Sequence, residues 1–417
     1  MTIGPQTDTP LKSGSSSRSG FWYFWAASGT SSLGSGITAV ALPLTALVVL
    51  DASAFGVGLI TAASYAGAVL IGLPAGVIVQ RFPMRRLQVT TDLARAALIA
   101  SVPVAAWLHM LTLTQLVLVG LLISLANIIF DVANTAYLPQ IVSKEELTAR
   151  NSLISGTMAT TQLAGPSLGG LLVQTLGAAT SLLTDAVSYL LSATLLWRIP
   201  KEKTRPPAPS HEPFTTQIKE GLRFVLQHPV IRPCVMASTA LNLSSGVVLA
   251  LAPVFLIRTA GLPAGTVGLV LAADGVGALA GAAITTRLAA KAGTARTVLA
   301  ATTAGAVTAL CMPLAHTPWT APTFALGQAG FAAGITILSI LTRTHRQTVT
   351  PPHLLPRVVA SVRFFTWGAL PIGALLGGIT ANTLGTRNAL LTGCILAFLA
   401  PLALTLSNIR TTKNLTD

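Results

Sequence analysis

Charge is what this chain has least of. Across 417 residues only 9% are Asp, Glu, Lys or Arg, about a third of the share usual in soluble domains. So few ions cannot cover a soluble surface of this size, which excludes water as the main solvent and leaves lipid. Acids are the scarcer sign: 12 Asp and Glu against 26 Lys and Arg give a net charge of +14. A nucleic-acid binder gathers such an excess on one solvated face. Here the bases are scattered through short loops between apolar runs, so nucleic acid is not an expected partner. Cysteine is nearly missing. Cys234, Cys311 and Cys394 lie far apart within apolar segments, without metal-ligand spacing or a disulfide framework, and each is expected to pack as a small apolar side chain. The six histidines sit in loops or near helix ends, and no Ser–His–acid or metal-binding group forms around them, so neither an enzyme nor a cofactor is expected. The G-x4-GK[ST] phosphate loop is absent too, which removes ATP as a direct energy source.

Long apolar runs are what the chain does have. A bilayer crossing takes about 20 mostly apolar residues, and twelve runs read as crossings. Six lie near 21–49, 54–79, 87–108, 112–136, 151–176 and 178–198; six more lie near 232–257, 264–288, 295–315, 319–342, 357–384 and 387–408. The fold class expected is an all-α membrane protein. Its parts are a cytoplasmic tail over 1–20, a six-helix bundle over 21–198, a cytoplasmic linker over 199–231, a second bundle over 232–408 and a tail over 409–417. The linker opens with KEKTRPPAPSHEP, too charged and proline-rich to enter lipid. It continues with FTTQIKEGLRFVLQHP, where Phe214, Ile218, Leu222 and Val225 recur at helical spacing. That pattern suits either an amphipathic helix on the membrane surface or a solvated linker helix. FWYFW at 21–25 reads as an interfacial aromatic belt.

Basic residues orient the runs. With the N-terminus in the cytoplasm, every Lys and Arg falls on the cytoplasmic side except Arg258 and Arg387, outside, and Arg95, within a helix. That asymmetry satisfies the positive-inside rule and places both termini in the cytoplasm. The two sets of runs are also copies of one another. GPSLGGLLVQTLGAATSLLT (165–184) and GALLGGITANTLGTRNALLT (373–392) both fit G-x3-GG-x4-TLG-x4-LLT, and VGLITAASYAGA (57–68) is answered by VGLVLAADGVGA (267–278). Two parallel six-helix halves related by an axis along the membrane normal are a transporter architecture, with substrate near the midplane between them. A solenoid would need more copies at a shorter period. Gly165 and Gly169 are four apart, as are Gly373 and Gly377, and such small residues decide where helices meet in lipid. Pro166 removes one backbone donor and is expected to bend the fifth run.

The six-plus-six layout, the basic loop after the second run and GPSLGG together resemble the major facilitator superfamily. Within it the chain is most similar to twelve-helix drug:proton antiporters of the macrolide-efflux and enterobactin-exporter-like branch. Segments carrying the finer likeness are GLPAGVIVQRFPMRR (72–86), TDLARA (91–96), FDVANTAYLPQIV (130–142), IKEGLRFVLQHPVIR (218–232) and TWGALPIGALLGG (366–378). The resemblance spans residues 20–408 and implies export of a hydrophobic or amphipathic small molecule in exchange for protons, by a monomer in the cell membrane. It implies an antiporter motif at Gly165, Pro166, Gly169 and Gly170, although Ser152 and Thr161 stand where relatives carry further glycines. It implies a cytoplasmic gate from Gly76, Arg81 and Arg85, with Gln80 in place of the usual acid. Asp131 is a replacement acid for Arg85 or Arg81, and Arg363 is a second candidate partner; alternatively these arginines only enforce topology.

An ion gradient as the driving force needs a titratable group. Asp92 is expected to pair with Arg95, three residues on, and Asp185 to bond a neighbouring helix. Asp274 lies near the middle of the eighth run, which lines the cavity in relatives. A midplane acid faces water or a partner, so Asp274 is the candidate for carrying the proton or binding a substrate cation; the alternative is a static polar contact. Relatives often carry an acid in the first helix where Ser35 stands here. Tyr65, Gln162, Asn242, Gln328, Phe331 and Trp367 are the candidate substrate contacts, or else interhelical glue. Two rival functions remain open at this point: proton-coupled uptake of a nutrient, and a non-transporting receptor or scaffold on the same fold.

Overall fold

The computed structural model describes residues 16–72, 74–80, 82–142, 146–199, 214–351 and 354–415. Arg81, the first fifteen residues and the linker over 200–213 lie outside them. The described residues form helices joined by turns and short loops, with no strand. In the first half they form α1 (Ser16–Val49), α2 (Ala54–Leu70), α3 (Ala75–Gln80), α4 (Met84–Trp107), α5 (Leu113–Ile141), α6 (Leu147–Leu176) and α7 (Ala178–Arg198). After α8 (Phe214–Gln227) the second half runs α9 (Ile231–Val254), α10 (Ala264–Leu271), α11 (Ala273–Ala292), α12 (Thr294–Ala309), α13 (Ala321–Val349), α14 (Leu355–Leu384), α15 (Thr386–Leu396) and α16 (Leu399–Thr405). Among the described residues, ten helical stretches are long and apolar enough to cross a membrane; α2, at 17 residues, is shorter. α6 is 30 residues long and carries much of its length as Gly, Ser, Thr and Gln, side chains better suited to neighbouring helices than to lipid. The second sequence run breaks into α2 and α3 around Pro74, whose nitrogen has no proton to give to a helical carbonyl.

The duplication shows in the packing. α1 packs on α6 and α7, and α9 packs on α14, α15 and α16. α5 packs on α2 and α4 as α13 packs on α11 and α12. Gly177 and Gly385 end α6 and α14 at φ of 87° and 79°, a region open to glycine at no steric cost, and the next helix starts at once in both halves. A proline lies within both helices: Pro166 beside Gly165, and Pro371 two residues before Gly373.

α1, α4, α6 and α14 begin at the end of the bundle that carries most arginines, here called the basic face. Two sequence expectations are refined there. FWYFW is one and a half helical turns, so its rings cannot all face the interface. Phe21 and Phe24 are buried, Trp22 is exposed, and Arg150 stacks on Phe21 at 4.3 Å. The helix after the linker, α8, is docked on protein. Val225 is buried with Ile231, Val358 and Val362, Gly221 faces the backbone of Arg357, and Glu220 pairs with Arg357 at the start of α14. His228 then turns the chain into α9, its Nδ1 accepting from the amides of Val230 and Ile231 at 3.2 Å each. Partial burial lowers its pKa, in keeping with a ring that must stay neutral at Nδ1 to accept.

Candidate functional site

Two of the helix crossings between the halves, α6 on α10 and α2 on α14, are built on the duplicated glycines. Gly165 and Gly169 pack against Gly36 and Ile37 of α1, within their own half, and Gly373 and Gly377 pack against Gly246 and Val247 of α9. The last glycine of each motif reaches across instead. A Cβ on Gly170 would lie 2.8 Å from the Cα of Gly268 in α10, and a Cβ on Gly58 in α2 would lie 3.1 Å from the Cα of Gly378 in α14. Gly170 matches Gly378, and Gly58 matches Gly268, in the two sequence copies. The crossings are therefore a symmetric pair, and both sit toward the face opposite the basic one. At that face Asp51 also receives Arg258 from the other half at 2.5 Å. By sequence, Arg258 is only an exception to the charge rule. Its partner sits at a positive φ of 46° in the α1–α2 turn, and spacing does not bring the two together.

Inside the first half lies a buried polar network. Arg95 pairs with Asp92, as the i, i+3 spacing predicts, and both are almost fully buried. The guanidinium also donates to Asn127 at 2.8 Å and lies between the rings of Phe130 and Tyr189 at 4.2 and 4.4 Å. Ser192 donates to Asp92 at 2.6 Å. Asp185, also fully buried, accepts from Thr38 and from Ser188. The Tyr189 hydroxyl meets Ser35 at 3.0 Å. This network borders a cavity of about 240 Å³, whose walls include Ser35, Thr38, Ser64, Tyr65, Asn127 and, from the other half, Leu249. A second cavity of about 410 Å³ lies within the second half between α9, α13 and α14.

The remaining site candidates divide as follows. Asp274 is exposed, with the amide of Gln328 within hydrogen-bonding reach and Tyr65 of the other half within electrostatic reach. The Gln328 Nε2 also donates to Leu271 O at 3.4 Å. Asp131 is likewise exposed, makes no ion pair among the described residues, and has Arg95 and Arg363 in electrostatic range. Arg85 is engaged elsewhere: it donates to the carbonyls of Leu196 and Trp197 at 3.2 and 2.5 Å and stacks on Trp197. Its guanidinium thereby caps the end of α7, where four carbonyls lack helical partners. Gly76 lies in the short α3. Asn242 and Trp367 line the second cavity and Tyr65 the first. Phe331 packs in the core at 3% exposure, stacked among helices rather than facing a cavity. Gln162 is exposed on α6 and is not among the residues that line either cavity.

A family described as transmembrane secretion effectors matches residues 14–416 of the chain. The multidrug efflux pump Tap of Mycolicibacterium fortuitum is 27% identical over 367 residues, covering 85% of this chain and 88% of the pump. An uncharacterised major-facilitator-type transporter of Bacillus subtilis, YfiS, is 24% identical and covers 90% of each chain. Among solved structures, a bacterial homologue of the iron transporter ferroportin in its inward-facing state superimposes with a TM-score of 0.75 at 17% identity, covering 93% of this chain and 98% of that one. A bacterial homologue of the human lysosomal transporter Spinster, also inward-facing, gives 0.71 at 12% identity over 96% and 98%. Duplicated helical segments, symmetric glycine crossings and a match along nearly the whole length lead to one conclusion: the chain belongs to the transmembrane secretion effector family of major facilitator transporters.

Proposed function

We propose that this transporter exports an amphipathic small molecule across the cell membrane in exchange for protons. The observation that carries the reading is the pair of symmetric glycine crossings at one face, in a chain whose relative is named a multidrug efflux pump. At these two crossings the bundles meet backbone to backbone, and little is broken there when they rock, because glycine contacts are van der Waals packing without interlocked side chains. With the basic face in the cytoplasm and both termini there, the crossings and the Asp51–Arg258 pair close the outside while the cleft takes substrate from within. Asp131 and Arg363 come from opposite bundles, and they are the charges that draw together when the cytoplasmic side shuts.

Asp274 is the coupling acid in this scheme. It is accessible and lies within electrostatic reach of Tyr65 of the other bundle. Charged, it costs least while water reaches it; sealed from water, it is favoured neutral. Asp274→Asn removes the titratable group and keeps the hydrogen bond to Gln328. The variant is expected to bind substrate and to lose substrate-driven proton movement, read as the pH change inside vesicles on drug addition. Full proton-coupled efflux by the variant would dismiss Asp274 from the role.

The function itself is tested by accumulation of a panel of amphipathic drugs in cells with and without the protein. Lower accumulation that disappears with a proton uncoupler is the expected result. Raised accumulation would mean uptake, and no change with any compound would leave a scaffold.

A further inference from the structure

We infer that the cavity between α9, α13 and α14 binds the carboxylate or phosphate group of an amphipathic anion, and that the transported molecule is of this class. The inference deepens the exporter reading and rests on it for the word "transported".

Three arginines line one cavity of about 410 Å³: Arg343 and Arg346 from α13 and Arg363 from α14. No acid lines it among the described residues. Arg343 and Arg363 are both close enough to act on Arg346 electrostatically. The ion pairs among the described residues use Arg95, Arg150, Arg258 and Arg357, so the three have no salt-bridge partner there. The acids nearby do not neutralise them: Glu220 is held by Arg357, and Asp131 reaches only Arg363 of the three. His345, on the same helix, is buried and faces His228 ring to ring at 5.9 Å, which adds no negative charge.

Topology alone does not account for this arrangement. An arginine that serves only the positive-inside rule extends its head into water or among headgroups. Arg346 instead has a buried Nε–H without a hydrogen-bond partner. A buried donor left unsatisfied, among like charges, is costly, and such a group calls for an acceptor. A guanidinium fork fits a carboxylate or phosphate with two parallel bonds. The rest of the wall suits an apolar body: Leu241, Leu338 and Val362 line it, and Arg363 lies 5.9 Å over the ring of Trp367. The volume falls within the range of small-molecule sites, roughly 300–1,000 Å³.

Pyrenebutyrate and pyrenebutylamine differ in the sign of the head and share the body. Titrated into the protein in phosphatidylcholine nanodiscs, pyrenebutyrate is expected to bind about tenfold tighter or better, and to weaken with added salt. Arg346→Gln is expected to weaken pyrenebutyrate by about tenfold, Arg346→Lys to recover part of the loss, and Arg296→Gln, an exposed base on α12, to change nothing. If Arg346→Gln yields no folded protein, Arg343→Gln carries the same test from an exposed position. Equal or tighter binding of pyrenebutylamine, or pyrenebutyrate affinity untouched by both arginine variants, overturns the site. Adding phosphatidylglycerol separates the two sources of such a group: displacement of the bound probe identifies a lipid headgroup, and retention identifies a free amphipathic anion. Uncoupler-sensitive export without any preference for pyrenebutyrate would overturn the anion site and leave the exporter standing. Anion binding in a protein that exports nothing would do the reverse.

Discussion

Gly268→Val is expected to cut transport by about five- to 150-fold while the protein still inserts and folds. A Cβ there would lie 2.8 Å from the Gly170 Cα and press on the Pro166 carbonyl, and neither backbone can turn aside as a side chain would. Overpacking of this kind costs about 1–3 kcal/mol, and the cost falls only on the conformer in which the crossing is closed. The equilibrium between states therefore shifts by that amount, which is the fold-change stated. Gly58→Val, at the matching crossing against Gly378, is expected to do the same. Gly156→Val is the control, because nothing lies within 4 Å of a Cβ at that position. Transport in reconstituted vesicles measures the effect. Labelling of a cysteine placed at Ser64, by a reagent added from the face opposite the basic one, reports the state, and it is expected to rise in both crossing variants. Wild-type turnover in Gly268→Val would mean that the crossing is not part of the cycle.

Arg95→Met is expected to lower stability by about 3–5 kcal/mol, the loss usual when one member of a buried pair is removed. The cause is not the missing attraction alone. Asp92 remains fully buried, now without its counter-charge, while Asn127, Phe130 and Tyr189 lose the group that they surround. Arg258→Met breaks an ion pair too, but its Asp51 carboxylate is 94% exposed and returns to water. That variant is expected to unfold within about 1 kcal/mol of the parent. Thermal unfolding of both in the same detergent separates the cases. Equal midpoints would show that the network in the first half carries no more weight than a surface pair.

Much of the architecture could be read without coordinates, and particular residues show why. Asp92 and Arg95 are three apart on one helix, so the rise and turn of that helix alone bring them together. The repeat of G-x3-GG in two places marks one helix in each half as a close-packing element, because only packing rewards loss of the side chain in lipid. Apolar runs of bilayer length place the helices, and basic loops divide their ends. Arg85 shows where such reasoning stops. The motif marks it as functional, yet its bonds go to the end of α7, more than a hundred residues away in sequence. Phe331 and Trp367 look alike as aromatic residues in apolar helices, and one is core while the other lines a cavity.

By itself, then, the order of amino acids determined the solvent, the helices, the duplication and the family, since each depends on composition or on spacing along one axis. Tertiary structure alone decided that Gly170 meets Gly268 rather than its own bundle, that Arg258 finds Asp51, and that Arg343, Arg346 and Arg363 line a single cavity. Those contacts depend on how far each helix is rotated about its axis and tilted against a distant neighbour, quantities that arise only when the helices pack.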